Sequence, residues 1–156
     1  MTLVYFDSSA LVKLVVEEDG SDLVAELWDK CDAALSSRLA YPEVRAALAA
    51  SARNHDLGDE DLLAAERAWE EFWAATRPVE LTPAVEQQAG QLAKSHALRG
   101  ADAIHLASAL ALNDPDLVVA VWDRPLHEGV LAAGVRVAPA NLDADIQSRR
   151  ALSRPS

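Results

Sequence analysis

The fold is decided by residues 3–14, which read LVYFDSSALVKL. The apolar run Leu3–Phe6 predicts a strand buried on both faces of a parallel sheet, because a half-buried strand would alternate apolar and polar side chains. Asp7 follows where this strand leaves the core, and ligands of open parallel sheets bind at the carboxyl ends of the strands. Asp7 is also a good N-cap for the following helix, so this segment alone leaves both roles open.

The rest of the chain alternates between strand and helix patterns. A second apolar run, Leu117–Trp122, predicts another central strand, and it also precedes an acid, Asp123. This alternation predicts an α/β fold: an α/β/α sandwich around a central parallel sheet of about four to five short strands. The remaining strands are expected near residues 32–36, 78–81 and 135–137, and helices over 9–16, 21–30, 37–54, 82–97, 101–112 and 124–133, with another helix starting at 59.

Length and composition indicate one globular domain. The 156 residues, half of them apolar, suit a single domain over residues 1–140, followed by a polar tail over 141–156. No apolar run approaches the length of a membrane span, and no signal peptide pattern opens the chain. The single cysteine, Cys31, cannot form an internal disulfide, which favours a cytoplasmic location.

The charge balance argues mildly against nucleic-acid binding. The formal net charge is −11, and such a chain repels phosphate backbones unless its positive charge is local or a cation intervenes. The same charge could attract a basic partner. Any nucleic-acid function therefore needs a local source of positive potential.

Four carboxylates are expected to meet at one edge of the sheet. Asp7 and Asp123 each follow a buried strand, Glu43 follows Pro42 in the first turns of a helix, and Asp102 opens another helix. Two unit charges about 5 Å apart repel by roughly 3 kcal/mol at an effective dielectric constant near 20. Such a cluster must take up protons or hold a cation, and oxygen ligands without His or Cys suit Mg²⁺ or Mn²⁺.

Each of these acids also has a purely structural explanation. Glu43 could be a solvated residue of a first helical turn, Asp102 an N-cap, and Asp123 a turn residue before Pro125. Trp69 and Trp73 lie one helical turn apart, which favours core packing, with a dimer or partner surface as the alternative. Only the joint placement of the acids favours a metal site.

Four segments together resemble the PIN-domain family, and within it the VapC-type toxin ribonucleases of toxin–antitoxin pairs. Tyr5–Leu14 resembles the first family motif, an acid followed by Ser or Thr, and Ser37–Val44 resembles the second, which carries Glu43. The third and most specific motif is similar to Arg99–Ala107 (RGADAIHLA). The fourth is similar to Val118–Arg124, although Val121 stands where the family often has Thr or Ser.

The resemblance implies a specific chemistry. Asp7, Glu43, Asp102 and Asp123 would bind Mg²⁺ or Mn²⁺ and form the catalytic set, and Ser9 would support them by hydrogen bonding. A metal-activated water would then hydrolyse RNA, which in this family is often tRNA or rRNA. The family also implies a homodimer and inhibition by a cognate antitoxin.

Further residues near these motifs are candidates for supporting roles. His105 lies one helical turn after Asp102, and we expect it to be packed behind the ligands, not to act as a catalytic base. Basic residues close to the acidic motifs are candidate contacts for RNA phosphates. These basic residues are Lys13, Arg38, Arg45 and Arg99.

Two other functions fit parts of the sequence. A catalytically weak module could present the acidic cleft to a basic partner, which the high acidity and the unusual Val121-Trp122 pair favour. A phosphotransfer enzyme with Asp7 as its nucleophile, similar to the haloacid dehalogenases, would need a second Asp at position 9, where Ser9 stands. A metal-dependent endoribonuclease remains the leading hypothesis.

Overall fold

The computed structural model describes residues 1–143, so the predicted polar tail lies outside the described residues from position 144 onward. Five strands form: β1 (Leu3–Phe6), β2 (Ala33–Ser37), β3 (Arg77–Val79), β4 (Val118–Ala120) and β5 (Arg136–Ala138). Seven helices are described: α1 (Ser8–Leu11), α2 (Ser21–Lys30), α3 (Ala40–Arg53), α4 (Asp59–Ala74), α5 (Pro83–Ser95), α6 (Gly100–Ala111) and α7 (Arg124–Ala132). Within this part of the chain, no helix is long and apolar enough to cross a membrane.

The strands form one sheet in the order β3-β2-β1-β4-β5, and every neighbouring pair is parallel. β1 is the central strand, with Val4 aligned between Ala34 of β2 and Val118 of β4. The predicted fold class is therefore confirmed. Because all strands point the same way, their carboxyl ends share one edge of the sheet.

The two faces of the sheet are covered by separate helical layers, which explains the unbroken apolar run of β1. Val4 and Phe6 face a core built with α1 to α4, and this core includes the fully buried Trp69. Tyr5 faces the other core, built with α5, α6 and α7. Core packing is thus the observed role of Trp69, whereas Trp73 lies at the margin of the same core.

Several predicted boundaries were wrong by a few residues. The helix after Asp7 ends at Leu11 and continues as a 3-10 turn over Val12–Leu14, although the sequence predicted a helix to residue 16. α5 ends at Ser95, because Ala97 adopts a left-handed conformation with φ of 51°. β4 ends at Ala120, so Asp123 lies three residues beyond the strand.

Candidate active site

Asp7 is a buried helix cap that uses only one of its two carboxylate oxygens. Its Oδ1 accepts hydrogen bonds from the Ala10 amide at 3.0 Å and from Ser9 Oγ at 2.6 Å, so Asp7 does cap α1. The described residues provide no hydrogen bond to Oδ2. The side chain is 2% exposed, and burial raises the pKa of Asp7 to about 6, with a further contribution from the charge of Asp123.

Ser9 links Asp7 to the segment that follows β4 through two hydrogen bonds. Its Oγ donates to Asp7 and accepts from the backbone N–H of Trp122 at 2.9 Å. The supporting hydroxyl predicted for Ser9 is therefore in contact with Asp7. The Trp122 ring packs against Gly20, where φ is 93° and an added Cβ would lie 2.7 Å from the ring.

Asp102 is not a helix cap. The N-cap of α6 is Arg99, and Asp102 lies one turn later on the inner side of the helix, where it is 9% exposed. Its Oδ2 lies 3.4 Å from Arg99 Nε. Burial raises the pKa of Asp102, the charge of Asp123 raises it further, and Arg99 opposes both effects.

Asp123 interacts electrostatically with Asp7 of the first motif and with Asp102 of the third motif. Its Oδ2 accepts from the Leu126 amide at 3.2 Å and caps α7, while its Oδ1 lies 3.8 Å from Arg99 Nη2. The negative charge of Asp123 acts on both Asp7 and Asp102. Side chains at positions 7, 102 and 123 therefore share one cleft at the carboxyl edge of the sheet.

Glu43 is connected to this cleft through His105. His105 Nε2 lies 2.6 Å from Glu43 Oε1, and the imidazole is 2% exposed. Burial alone would lower the pKa of His105, but the hydrogen bond to Glu43 and the charges of Asp7, Glu43 and Asp102 raise it above its ordinary value. His105 is therefore buried and in contact with Glu43, and its supporting role in the site stays a prediction.

Tyr5 is the member of this network that the sequence analysis missed. Its hydroxyl lies 2.7 Å from His105 Nδ1 and accepts from the Ser37 amide at 3.1 Å, so Tyr5, His105 and Glu43 form a continuous hydrogen-bonded chain. Burial raises the pKa of Tyr5 far above its ordinary value. A tyrosine inside an otherwise apolar central strand is a usable signal, because a buried phenol needs a polar partner.

The four basic residues proposed for RNA contact are all paired with carboxylates. Lys13 is bonded to Glu18 at 2.9 Å, and its side chain is only 9% exposed. Arg38 is bonded to Glu80, and Arg45 lies near Glu66 and Glu70. Of the four, only Arg99 contacts the acids of the cleft.

The donor set suits a hard divalent ion with an incomplete protein shell. Within residues 1–143, no three His, Cys, Asp or Glu side chains are already grouped closely enough to hold one ion together. Mg²⁺ is commonly bound by one or two carboxylates while waters and substrate phosphates fill its other positions. Asp7 Oδ2 and Asp102, both largely removed from solvent, fit that mode because an ion would offset the cost of burying their charges, which is the main cause of their raised pKa values.

Residues 4–121 match the family model of the PIN domain. Two Mycobacterium tuberculosis proteins are similar over most of the chain: Ribonuclease VapC45 of strain CDC 1551 / Oshkosh and Ribonuclease VapC49 of strain ATCC 25618 / H37Rv. Each is 74% identical over 143 residues, which cover 92% of this chain and 99% of the relative.

Solved structures share the fold at low sequence identity. PAE2754 from Pyrobaculum aerophilum has a TM-score of 0.68 and 20% identity, covering 94% of this chain and 90% of that protein. VapC20 of Mycobacterium tuberculosis, described as a Sarcin-Ricin loop cleaving toxin, has a TM-score of 0.62 and 19% identity, covering 85% and 95%. At these identities, the likeness concerns the fold alone.

Proposed function

The chain belongs to the PIN domain family, within its VapC-type ribonucleases, and we propose that the acidic cleft around Asp7 and Asp102 is its catalytic site. The protein is accordingly an endoribonuclease toxin of a toxin–antitoxin pair. Ribonucleases of this family generally depend on a metal ion, and we propose Mg²⁺ or Mn²⁺ because the donors in the cleft are carboxylate oxygens.

The residues of the cleft would divide the work as follows. Asp7 and Asp102 would hold the ion, and Glu43 and Asp123 would complete the site or admit a second ion. When bound, the ion supplies water activation and neutralises charge on the phosphodiester. Ser9 keeps the carboxylate of Asp7 oriented, as its 2.6 Å hydrogen bond supports.

His105 and Tyr5 would act behind the reacting groups. His105 holds the carboxylate of Glu43 through its Nε2, and Tyr5 fixes the imidazole ring through Nδ1. Hydrogen bonds of this kind orient metal ligands and tune their basicity. No protein side chain then needs to serve as the general base.

The substrate is proposed to be RNA, with tRNA or rRNA as the expected class. Arg99 is the best-supported phosphate contact, because its side chain is 81% exposed at the mouth of the cleft. The roles of Lys13, Arg38 and Arg45 remain predictions, since each is held by a carboxylate outside the cleft.

The proposed partners follow from the family. A cognate antitoxin is expected to inhibit the enzyme, and the protein is expected to work as a homodimer in the cytoplasm. An apolar groove of about 320 Å³ between α5 and α6, lined by Leu81, Ala93 and Ile104 among others, is a candidate dimer contact. We further propose that residues 1–140 form the catalytic domain and residues from 141 a tail.

The observation that carries the proposal is the shared cleft of residues 7, 102 and 123. We expect purified protein to cleave RNA in the presence of Mn²⁺, and Asp7→Asn or Asp102→Asn to slow cleavage about 100-fold or more, equal to about 2.7 kcal/mol of transition-state stabilisation. The control is Asp56→Asn, an exposed acid of the loop before α4. Mapping of new RNA ends gives the rate and the site, and undiminished cleavage by both folded cleft variants would refute the assignment.

A further inference from the structure

Arg99 lies where two of the proposed metal ligands meet. Its guanidinium spans Asp102 on α6, with Nε 3.4 Å from Oδ2, and Asp123 before α7, with Nη2 3.8 Å from Oδ1. The two acids come from different elements, and the charge of Asp123 raises the pKa of Asp102. Arg99 offsets this repulsion, since it lowers the pKa of Asp102 against burial and against Asp123.

No other Lys or Arg of the described chain performs this task. Across residues 1–143, Arg99 is the only Lys or Arg side chain within 4 Å of any of the four cleft carboxylates. His105 contacts Glu43 on the buried side of the cleft. On the solvent side, the positive charge closest to Asp102 and Asp123 is therefore the charge of Arg99.

The contacts of Arg99 with Asp102 and Asp123 are weak. Both distances exceed those of a close charge-assisted hydrogen bond, and the Arg99 side chain is 81% exposed, so each contact contributes little to stability. Arg99 also makes no side-chain hydrogen bond to cap α6, although it occupies the N-cap position. Neither packing nor capping holds the guanidinium over the acids.

On the basis of the proposed metal-dependent ribonuclease function, we infer that Arg99 is an exchangeable counter-ion of the cleft. Without a divalent ion, it neutralises Asp102 and Asp123. A divalent ion held by these two carboxylates would compete with the guanidinium for them and would displace it. The released guanidinium is then free for a phosphate group of RNA, whose two oxygens match its fork of N–H donors.

This exchange links ion binding to RNA binding through one side chain. An ion bound at the acids releases the cation that the phosphate needs, so each should favour the other. It also offers a way for a chain with a net charge of −11 to bind a polyanion only when the ion is present. Arg99 is thus proposed to pair with the acids when no ion is bound and with an RNA phosphate when the ion is bound.

Binding of Mn²⁺ alone, without RNA, tests the exchange directly by calorimetry or water-proton relaxation. We expect Arg99→Gln to bind Mn²⁺ three- to ten-fold more tightly than the unaltered protein, because the competitor is gone. Arg99→Lys keeps the charge but loses the fork, and we expect an intermediate gain. The matched control is Arg136→Gln, since Arg136 lies 3.7 Å from Asp116 with a 68% exposed side chain at the opposite edge of the sheet.

The second readout is binding of a labelled tRNA pool with Ca²⁺ in place of the catalytic ion, titrated with salt. We expect Arg99→Gln to weaken this binding and to reduce the salt slope by about one, as the loss of one phosphate contact requires. Equal or weaker Mn²⁺ affinity of Arg99→Gln would overturn the inference, as would an Arg99→Lys variant with the Mn²⁺ affinity of the unaltered protein. An unaltered protein that binds no Mn²⁺ and cleaves no RNA would overturn both the inference and the proposed function.

Discussion

At the scale of single residues, two of the acids proposed for the catalytic site are also helix caps. Asp7 caps α1 through Oδ1 and Asp123 caps α7 through Oδ2, so each has a second oxygen that takes no part in the cap. Capping and metal binding are therefore compatible explanations for these two residues. Asp102 differs from these two residues because its carboxylate does not cap a helix. Burial of its charge is unfavourable, as the raised pKa of Asp102 indicates, and a bound cation would offset that cost.

The burial of the Asp7 carboxylate leads to a stability prediction for Asp7→Asn in the absence of divalent ions. The pKa of Asp7 rises from 3.8 to about 6 in the folded protein, mainly through burial. The stabilisation from protonated Asp7 is fully present below pH 3.8 and is lost as the pH rises through about 6. At pH 7.5, Asp7→Asn should therefore unfold with a free energy higher by roughly 1–3 kcal/mol.

Chemical denaturation in EDTA measures this difference at several pH values. We expect the advantage of Asp7→Asn to shrink between pH 7.5 and pH 4.5, because Asp7 itself becomes neutral over that interval. Asp56→Asn, an exposed acid, serves as the comparison and should change stability little. An Asp7→Asn variant no more stable than the unaltered protein at pH 7.5 would show that Asp7 is better compensated than its burial implies.

At the scale of elements, the turn between α5 and α6 determines where α6 begins relative to the cleft. Ala97 has φ of 51°, and the Leu98 amide bonds to the Ala93 carbonyl at 3.1 Å, which is the pattern of a left-handed helix ending. Buried Leu98 then anchors the turn, and Arg99 and Gly100 begin α6 directly afterwards. The position of Arg99 over Asp102 depends on this reversal.

Ala97→Gly should stabilise the protein, because the left-handed region costs a Cβ-bearing residue energy that glycine avoids. Ala97 is exposed, so no packing is lost, and we expect a gain of about 0.5–1 kcal/mol after the greater freedom of unfolded glycine is counted. Ala64→Gly, an exposed site inside α4, should lose about 1 kcal/mol instead. Thermal unfolding of the two variants should therefore shift in opposite directions.

At the scale of the whole molecule, charge is unevenly placed. The net charge of −11 makes the protein a poor polyanion binder by default, and the cleft concentrates part of that charge at the carboxyl edge of the sheet. Parallel strands bring the carboxyl end of every strand to this edge, where Asp7 is buried. The fold therefore places several carboxylates close together at this edge, where a bound divalent ion would reduce the repulsion between them.

Divalent ions should stabilise the folded protein beyond any effect of ionic strength. An ion that binds only the folded state adds about 2.7 kcal/mol when its free concentration is one hundred times its Kd. We expect Mn²⁺ or Mg²⁺ to raise Tm relative to NaCl of equal ionic strength. The double variant Asp7→Asn/Asp102→Asn should lose this difference, and an equal shift in both proteins would mean that the ions act elsewhere.

Much of the fold could be predicted from local sequence patterns. The apolar run at β1 predicted a central strand because a strand covered on both faces has no polar side, and the pattern holds in the sheet order. Boundaries were less accurate, as after α5, where Ala97 adopts a left-handed conformation although it lacks the conformational freedom of glycine. Tertiary context, not local propensity, decides such endings.

The sequence by itself determined the class of fold and the acids that follow its strands, because these depend on residue type and periodicity. Only the tertiary structure decided that Tyr5 and His105 stand behind Glu43, and that Arg99 spans Asp102 and Asp123. These contacts join residues up to 100 positions apart along the chain. Spacing in sequence does not encode such distances; they arise where parallel strands and the helices between them converge at one edge.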